Sequence, residues 1–167
     1  MASLNDRLKD RNYANWLRVT YGLKCVKDGL CAITEIMMKQ FQENIKTQFS
    51  ITEECNNEMC NSRSIRIQGT AKFQCPNSIC SNILNSIIIE HTNKNMVSLE
   101  NCEVRLWPMN CWEIAKVYMS HMPHSRAAEN TGPSKTDCSG LLQLVSKCRQ
   151  FKSKLQVKPG TVEEVEL

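Results

Sequence analysis

Four cysteines near the middle of the chain stand in two pairs, and their spacing constrains the fold more than any other feature. Four residues separate Cys55 from Cys60, four separate Cys75 from Cys80, and fourteen lie between the pairs. Cysteines at this spacing can present two thiolates to one metal ion from a single turn, and two such pairs complete a tetrahedral shell. The sequence therefore predicts that this region folds around a bound metal.

A second set of ligands is also compatible with the spacing. His91 and Cys102 follow Cys80 at intervals of ten residues, so these three residues and Cys75 could form the site instead. Both sets contain Cys75 and Cys80, which bracket a Pro-Asn-Ser turn rather than an apolar helix face. The sequence leaves open which four of the candidate ligands bind the metal: Cys55, Cys60, Cys75, Cys80, His91 and Cys102.

The donor types indicate zinc in a structural role. Thiolate and imidazole are soft or borderline ligands that suit Zn²⁺, whereas Mg²⁺ or Ca²⁺ would take carboxylate and carbonyl oxygens; an iron–sulfur centre is the lesser alternative. Four protein ligands close the coordination shell and leave no position for an activated water. The metal would hold together a segment that has too few apolar residues for its own core, so its binding energy would become folding energy.

The start of the chain bears on the cellular compartment. The first twelve residues are polar and charged, with neither the apolar stretch nor the cleavage site of a secretory signal. We therefore expect an intracellular protein, cytoplasmic or nuclear, whose ten cysteines are thiols or metal ligands rather than disulfides. The cysteines outside the candidate ligands are interpreted as small buried hydrophobic residues: Cys25, Cys31, Cys111, Cys138 and Cys148. No stretch is long and apolar enough to predict a membrane helix.

Apolar periodicity predicts a helical frame at the start of the chain. Apolar residues recur at helical spacing from residue 12 to 28 and again from 30 to 49. Gly29 between the two runs predicts two helices joined as an antiparallel hairpin. Trp16, Met37, Met38 and Phe41 are interpreted as core residues of these helices. With 167 residues, 41% of them hydrophobic, the chain is long enough for one domain with a substantial core.

The patterning changes in the rest of the chain. Alternating apolar and polar residues at 64–73 predict a strand with Gly69 at a bend or bulge, whereas residues 81–90 suit a helix or a strand equally well. Helical periodicity returns after Asn110, which stands at capping-box spacing from Glu113. A loop is expected over residues 120–136, and Asp137 can cap a last helix.

Together these patterns predict a mainly α (α+β) fold, in which about four helices form a frame with a small zinc-stabilised, β-containing insertion. Residues 1–151 are expected to form a single domain, with the insertion at about 51–106. Residues 152–167 change from basic to acidic across Pro159-Gly160, which is typical of a linker. They are expected to lead to a region not present in this chain.

Catalytic signatures are not found in the sequence. It has no Gly-rich phosphate loop, no G-x-S-x-G and no H-E-x-x-H, and His121 and His124 lie in the predicted loop near no obvious partner. We therefore expect a non-catalytic module that binds a protein or RNA partner. An enzyme with a catalytic zinc or a cysteine nucleophile, or a purely structural cap, are the alternatives.

Basic residues form two groups that could contact phosphates, one late in the chain and one on the predicted strand. The candidate nucleic-acid contacts are Arg63, Arg66, Lys72, Lys147, Arg149, Lys152 and Lys154. A formal net charge of +4 and an aromatic content of 6% are unexceptional. An ordinary solvated surface is therefore the competing interpretation of these groups.

Landmarks along nearly the whole chain resemble one known family. They are Tyr13-Ala14-Asn15-Trp16, Gly29-Leu30, the two cysteine pairs, His91, Asn101-Cys102, Trp107-Pro108, Trp112-Glu113-Ile114-Ala115-Lys116 and Leu141-Leu142. In this order they resemble the uncharacterised vertebrate family whose human member is the X-chromosome open-reading-frame thirty-eight protein. The resemblance implies a HEPN-like helical region beyond this chain and an RNA-linked or innate-immune setting. The segment from Gly69 to Cys80 is also similar to the first half of three-CxxC zinc fingers.

Overall fold

A computed structural model describes Arg7 and residues 9–58, 60–61, 75–93 and 97–154. These residues are mostly helical, which confirms the mainly α prediction. The α-helices are α1 (Arg11–Phe49), α2 (Ile79–Glu90), α3 (Cys111–Ala115), α4 (His124–Glu129), α5 (Cys138–Lys147) and α6 (Arg149–Lys154). Short 3₁₀ helices cover Leu99–Asn101, Val104–Leu106, Lys116–Tyr118 and Pro133–Lys135.

Helix α1 is a single helix of 39 residues, so the predicted hairpin at Gly29 is wrong. The Asp10 carboxylate caps its start by accepting hydrogen bonds from the backbone N–H groups of Asn12 (2.8 Å) and Tyr13 (3.4 Å). Ser50, in the left-handed conformation with φ 52°, ends it. A glycine inside a helix costs about 1 kcal/mol relative to alanine, which weakens a helix without ending it.

The second half of α1 supplies much of the core. Met37, Met38 and Phe41 are buried there, as predicted, and this half packs against α2, α3 and α5. The buried Gln42 side chain donates a 2.7 Å hydrogen bond to the carbonyl of Trp107, which ties the helix to the loop before α3. In the first half, by contrast, Trp16 is 59% exposed, so its assignment to the core is wrong.

Residues 81–90, which suit a helix or a strand equally well by sequence, lie in helix α2. Ile83, Leu84 and Ile87 face the core from it. The strand predicted at 64–73 lies outside the described residues. Within the described ranges, β-structure is represented by an isolated antiparallel bridge between His91 and Cys148. The structure therefore shows the helical frame and does not show a β-containing insertion.

The helix predicted after Asn110 forms, with a different set of capping bonds. The Asn110 side chain accepts from the N–H of Trp112 (2.9 Å) and caps α3, which continues as a 3₁₀ turn to Tyr118. The Glu113 carboxylate does not return to Asn110; it accepts from the backbone N–H of Glu103 at 2.7 Å. Asparagine alone caps the helix start, and the glutamate joins two segments.

The region 120–136, predicted as a loop, contains α4 and a 3₁₀ helix. It is anchored at Asn130, whose buried side-chain oxygen accepts from the indole N–H of Trp112 (2.9 Å) and from the hydroxyl of Thr136. Asp137 caps α5 as predicted, by accepting from the N–H of Gly140 at 2.7 Å. Helix α5 ends at Lys147, one residue before the bridge to His91, and α6 then runs to Lys154.

Among the described helices, none has the length and apolar character needed to cross a membrane.

Candidate metal centre

The structure brings the two cysteine pairs together. The Sγ atoms of Cys55, Cys60, Cys75 and Cys80 all lie within 4.8 Å of one another, and all four residues are buried. The Sγ atoms of Cys55 and Cys75 are 3.7 Å apart. With Zn–S bonds of about 2.3 Å, two sulfurs of a regular tetrahedron are separated by about 3.8 Å. The Cys55–Cys75 distance therefore matches a tetrahedral thiolate site, and the four sulfurs lie close enough together to hold one metal ion.

The end of α1 positions the first pair. The backbone N–H of Ile51 donates to the carbonyl of Lys46 at 2.9 Å, and the Ile51 side chain is buried, so the chain leaves the helix along the core. The backbone N–H of Cys60 donates to the carbonyl of Asn57 at 3.0 Å. This turn between the two cysteines brings Cys60 back to the side of Cys55.

The start of α2 positions the second pair. The N–H of Ser78, which has φ 61°, donates to the carbonyl of Cys75 at 2.8 Å and closes the predicted turn. The N–H of Cys75 donates to Ser81 Oγ at 2.9 Å. Cys80 lies in the first helical turn, where the positive end of the helix dipole favours a thiolate.

A side chain that the sequence reasoning did not single out adjoins the sulfurs. Asn77 Oδ1 is hydrogen-bonded to Cys75 Sγ and lies 4.0 Å from Cys55 Sγ, and it also accepts from the N–H of Ile79 at 3.3 Å. Asparagine in a turn ahead of a helix is a known capping signal. That signal could have identified Asn77 as the residue that orients the second pair.

Burial controls the ionisation of these thiols. It raises the pKa of Cys60 to about 12, helped by the adjacent thiols of Cys55 and Cys75, and it raises the pKa of Cys80 further. Burial acts in the same direction on Cys55, but hydrogen bonds from the Asn57 backbone and from the neighbouring thiols outweigh it and lower its pKa. A buried cluster of thiolates needs a cation to compensate its charge.

The structure places the other two candidate ligands elsewhere in the core. His91 Nδ1 accepts from the N–H of Asn93 at 3.0 Å, and its ring stacks on Tyr118 with centroids 5.1 Å apart. Cys102 Sγ donates to the carbonyl of Leu99 at 3.2 Å. Neither residue belongs to the four-thiol cluster. The geometry thus favours the two C-x4-C pairs over the alternative set.

The remaining cysteines occupy varied environments. Cys148 is buried, as expected of a small hydrophobic residue, and Cys31, Cys111 and Cys138 are partly buried. Cys25 is exposed, so its interpretation as a core residue is wrong. The reason is its place on α1, ahead of the first buried residue of that helix, Thr34.

Four of the candidate nucleic-acid contacts lie at the end of α5 and on α6. Arg149 donates to the carbonyl of Ile89 at 3.3 Å, and Lys154 donates to the side chain of Gln40 at 3.4 Å. Lys147 is partly buried, which lowers its pKa, while Lys152 is exposed. The other three, Arg63, Arg66 and Lys72, lie outside the described residues.

His91 makes the stability of the fold sensitive to acid. Burial lowers the pKa of His91 below its usual value of about 6.5, and the charge of Lys147 adds to this effect. Below pH 6.5 the unfolded chain binds a proton that the folded chain does not. We therefore expect the free energy of unfolding to decrease as the pH is lowered below 6.5. The decrease is at most about 1.4 kcal/mol per pH unit and ends at the pKa of His91 in the folded state. Urea unfolding between pH 8 and pH 5 measures it.

Two phenylalanine variants separate His91 from other titrating groups. His91→Phe keeps a ring against Tyr118 and removes the titration, so its stability should lose this slope. His121→Phe is the matched control, because His121 is exposed and pairs with Glu100 at the surface. Zinc content is measured at each pH. An unchanged slope in His91→Phe would contradict the assignment.

Comparison with known proteins finds one family model and one curated relative. The model, described as "Domain of unknown function (DUF4559)", matches residues 7–166. The relative is the "Uncharacterized protein CXorf38 homolog" of Mus musculus, 25% identical over 152 residues, which are 90% of this chain and 46% of the relative. The chain thus spans about half the length of that relative. No solved structure matches.

Proposed function

We propose, from the premise that the chain belongs to the family described as "Domain of unknown function (DUF4559)", that it is a non-catalytic, zinc-stabilised binding module. The observation that carries this proposal is the cluster of four buried cysteines whose Sγ atoms lie within 4.8 Å of one another. The family description and the name of the mouse relative state no activity. The chemistry of the site is therefore the basis for a function.

Zinc suits the cluster better than other metals. Four thiolates are soft ligands in tetrahedral array, which is the arrangement of structural zinc sites, and hard cations such as Mg²⁺ would need oxygen ligands. Bound by Cys55, Cys60, Cys75 and Cys80, the ion would have a complete shell of protein ligands. A complete shell leaves no position for water or substrate, so the metal would stabilise structure rather than react.

The centre would cross-link the segment that follows α1 with the segment that starts α2. Cys55 and Cys60 follow the end of α1, while Cys75 and Cys80 belong to the start of α2. The Cys80 sulfur also lies 3.8 Å from the carbonyl of Val104, in the 3₁₀ helix between α2 and α3. One ion would therefore join the segment after α1 to the segment that starts α2, and its binding energy would contribute to folding as in small zinc modules.

Properties of the cysteines outside the cluster support a non-catalytic role. A nucleophilic cysteine needs a depressed pKa and an accessible position. Burial instead raises the pKa of Cys102 to about 12 and that of Cys148 to about 11. Cys31 and Cys111, which are less buried, also have raised pKa values for the same reason. These four thiols are therefore poorly suited to nucleophilic chemistry at neutral pH.

A protein partner is favoured over RNA for this module. Of the four candidate contacts in the described part of the chain, Arg149 and Lys154 already donate to oxygens of the chain itself, and Lys147 is partly buried. Phosphate binding requires several free basic groups on one face. The proposal therefore assigns binding to a protein surface, and RNA binding with a steep salt dependence would count against it.

Metal analysis tests the proposal directly. We expect one zinc per chain in the purified protein, with X-ray absorption showing four sulfurs at about 2.3 Å and no oxygen or nitrogen ligand. Alkylation should spare the four ligand cysteines until a chelator is added and should modify exposed Cys25 at once. An oxygen ligand from water would indicate an open, catalytic site, and a nitrogen ligand would indicate the alternative set that contains His91. Failure to bind metal, with alkylation unaffected by chelator, would refute the proposal.

A further inference from the structure

Residues 19–36 of α1 carry apolar side chains that the described structure leaves largely exposed. Val19, Val26, Ile33 and Ile36 are between 40% and 62% exposed, and the first buried residue of the helix is Thr34. Together with two glycines they form one line along the helix, which we name the apolar seam: Val19, Gly22, Val26, Gly29, Ile33 and Ile36. Its spacing alternates between three and four residues, as in helices that pack along their length on another helix.

The two glycines of the seam have no explanation within the described part of the chain. A Cβ added at Gly22 or at Gly29 would meet no atom within 4 Å, and both residues lie inside a regular helix. Glycine is a poor helix former, so such positions normally carry a side chain. Absence of a side chain allows another backbone or side chain to approach closely. The seam therefore has the shape expected of a contact surface for a second helix.

Two copies of the apolar seam fit against each other when they run antiparallel. When two copies of α1 run antiparallel about a centre between Lys27 and Asp28, Val19 faces Ile36 of the partner subunit. In the same register Gly22 faces Ile33 of the partner subunit. Each glycine thus receives a β-branched side chain, since Val26 faces Gly29 of the partner subunit. A two-fold interface requires this reciprocity, in which residue i meets j and j meets i.

We propose that α1 pairs antiparallel with α1 of a second copy of this chain through the apolar seam. The fit of a β-branched side chain opposite each glycine favours a second copy, because one helix then supplies both the projecting and the receiving positions. The four seam side chains, with exposed Trp16 and Leu23 at the margin, would cover roughly 600 Å² per chain and about 1,200 Å² per dimer. That area lies at the lower edge of stable interfaces, so the dimer should dissociate in the micromolar range. The inference does not depend on the metal centre.

Sedimentation velocity on the zinc-loaded 167-residue chain tests the pairing. From about 1 µM to about 200 µM, a range that brackets a micromolar dissociation constant, we expect a reversible monomer–dimer equilibrium. A chain that stays monomeric throughout this range would overturn the proposal. Assembly beyond the dimer would also overturn it, because a two-fold interface is closed.

Charge substitutions test the register. Val19→Lys alone and Ile36→Glu alone should each weaken dimerisation at least about hundredfold, since each buries an unpaired charge. In the antiparallel register the two new charges face each other, so the double variant should return to within about tenfold of the wild type. A parallel pair would place like charges opposite each other at both positions. Failure of the double variant to recover would therefore overturn the antiparallel register.

Tyr21→Glu is the matched control, because Tyr21 is exposed on the same helix but lies off the seam. It should leave the dissociation constant within about threefold of the wild type. Equal loss of dimer in Tyr21→Glu and Val19→Lys would overturn the assignment of the interface. Zinc content and helicity are measured in every variant, so failure of the metal proposal is distinguished from failure of the dimer proposal.

Discussion

Cys80→Ser is expected to abolish zinc binding and to lower the free energy of unfolding by about 4 kcal/mol or more. A structural zinc site contributes its binding energy to folding, and serine is a poor replacement for a soft thiolate ligand. The loss should be local, because α1 and α5 keep core contacts through Met38 and Leu144. Urea unfolding gives the energy, and hydrogen exchange should show increased exchange around residues 51–58 and 75–82 while α5 stays protected.

Two other serine variants serve as controls for this experiment. Cys138→Ser changes a partly buried thiol outside the cluster and should keep one zinc per chain. Cys102→Ser distinguishes the two ligand sets that the sequence left open, because Cys102 lies outside the four-thiol cluster. It should be destabilised by its buried hydroxyl and still retain zinc. Loss of zinc in Cys102→Ser, or retention in Cys80→Ser, would contradict the assigned centre.

Removal of the buried cation Lys116 is expected to have the second largest effect. Lys116 Nζ lies 2.6 Å from Glu113 Oε1, and the two residues are 4% and 6% exposed. The other carboxylate oxygen accepts from the N–H of Glu103. Lys116→Met leaves this carboxylate buried without its counter-ion, which should cost about 3–5 kcal/mol. Denaturant unfolding at pH 7 measures the loss.

An exposed ion pair of similar geometry provides the comparison. Lys39 Nζ lies 2.7 Å from Glu35 Oε1, but both side chains are about half exposed or more. Lys39→Met should therefore lower the free energy of unfolding far less than Lys116→Met does. The double variant Glu113→Gln with Lys116→Met should recover most of the loss. Equal effects of Lys116→Met and Lys39→Met would show that burial does not govern the strength of the pair.

Local signals in the sequence predicted local structure well. Asp137 and Asn110 cap helices as expected, since a capping side chain acts on N–H groups two or three residues away. The family resemblance was also confirmed by the comparisons. For the metal centre, the C-x4-C spacing correctly grouped each pair, because one turn suffices to bring its two sulfurs together.

Long-range features could not be predicted in the same way. The choice between Cys55 with Cys60 and His91 with Cys102 depends on how α1 packs against α2, which no local pattern encodes. Gly29 was interpreted as a break because glycine weakens a helix, yet the flanking residues continue it. Trp16 was assigned to the core because an apolar stripe usually faces the same chain. In this structure the stripe extends beyond the core.

The two cysteine pairs hold both ends of the span between Cys60 and Cys75. Fourteen residues separate Cys60 from Cys75, and both ends of that span are held at one four-sulfur cluster. The positions of Cys60 and Cys75 are therefore set by the cluster, whatever residues lie between them. Doubling the length of the span would raise the entropic cost of closing it by only about 0.6 kcal/mol. Insertions between Cys60 and Cys75 should therefore leave the four-sulfur cluster and the helical scaffold in place.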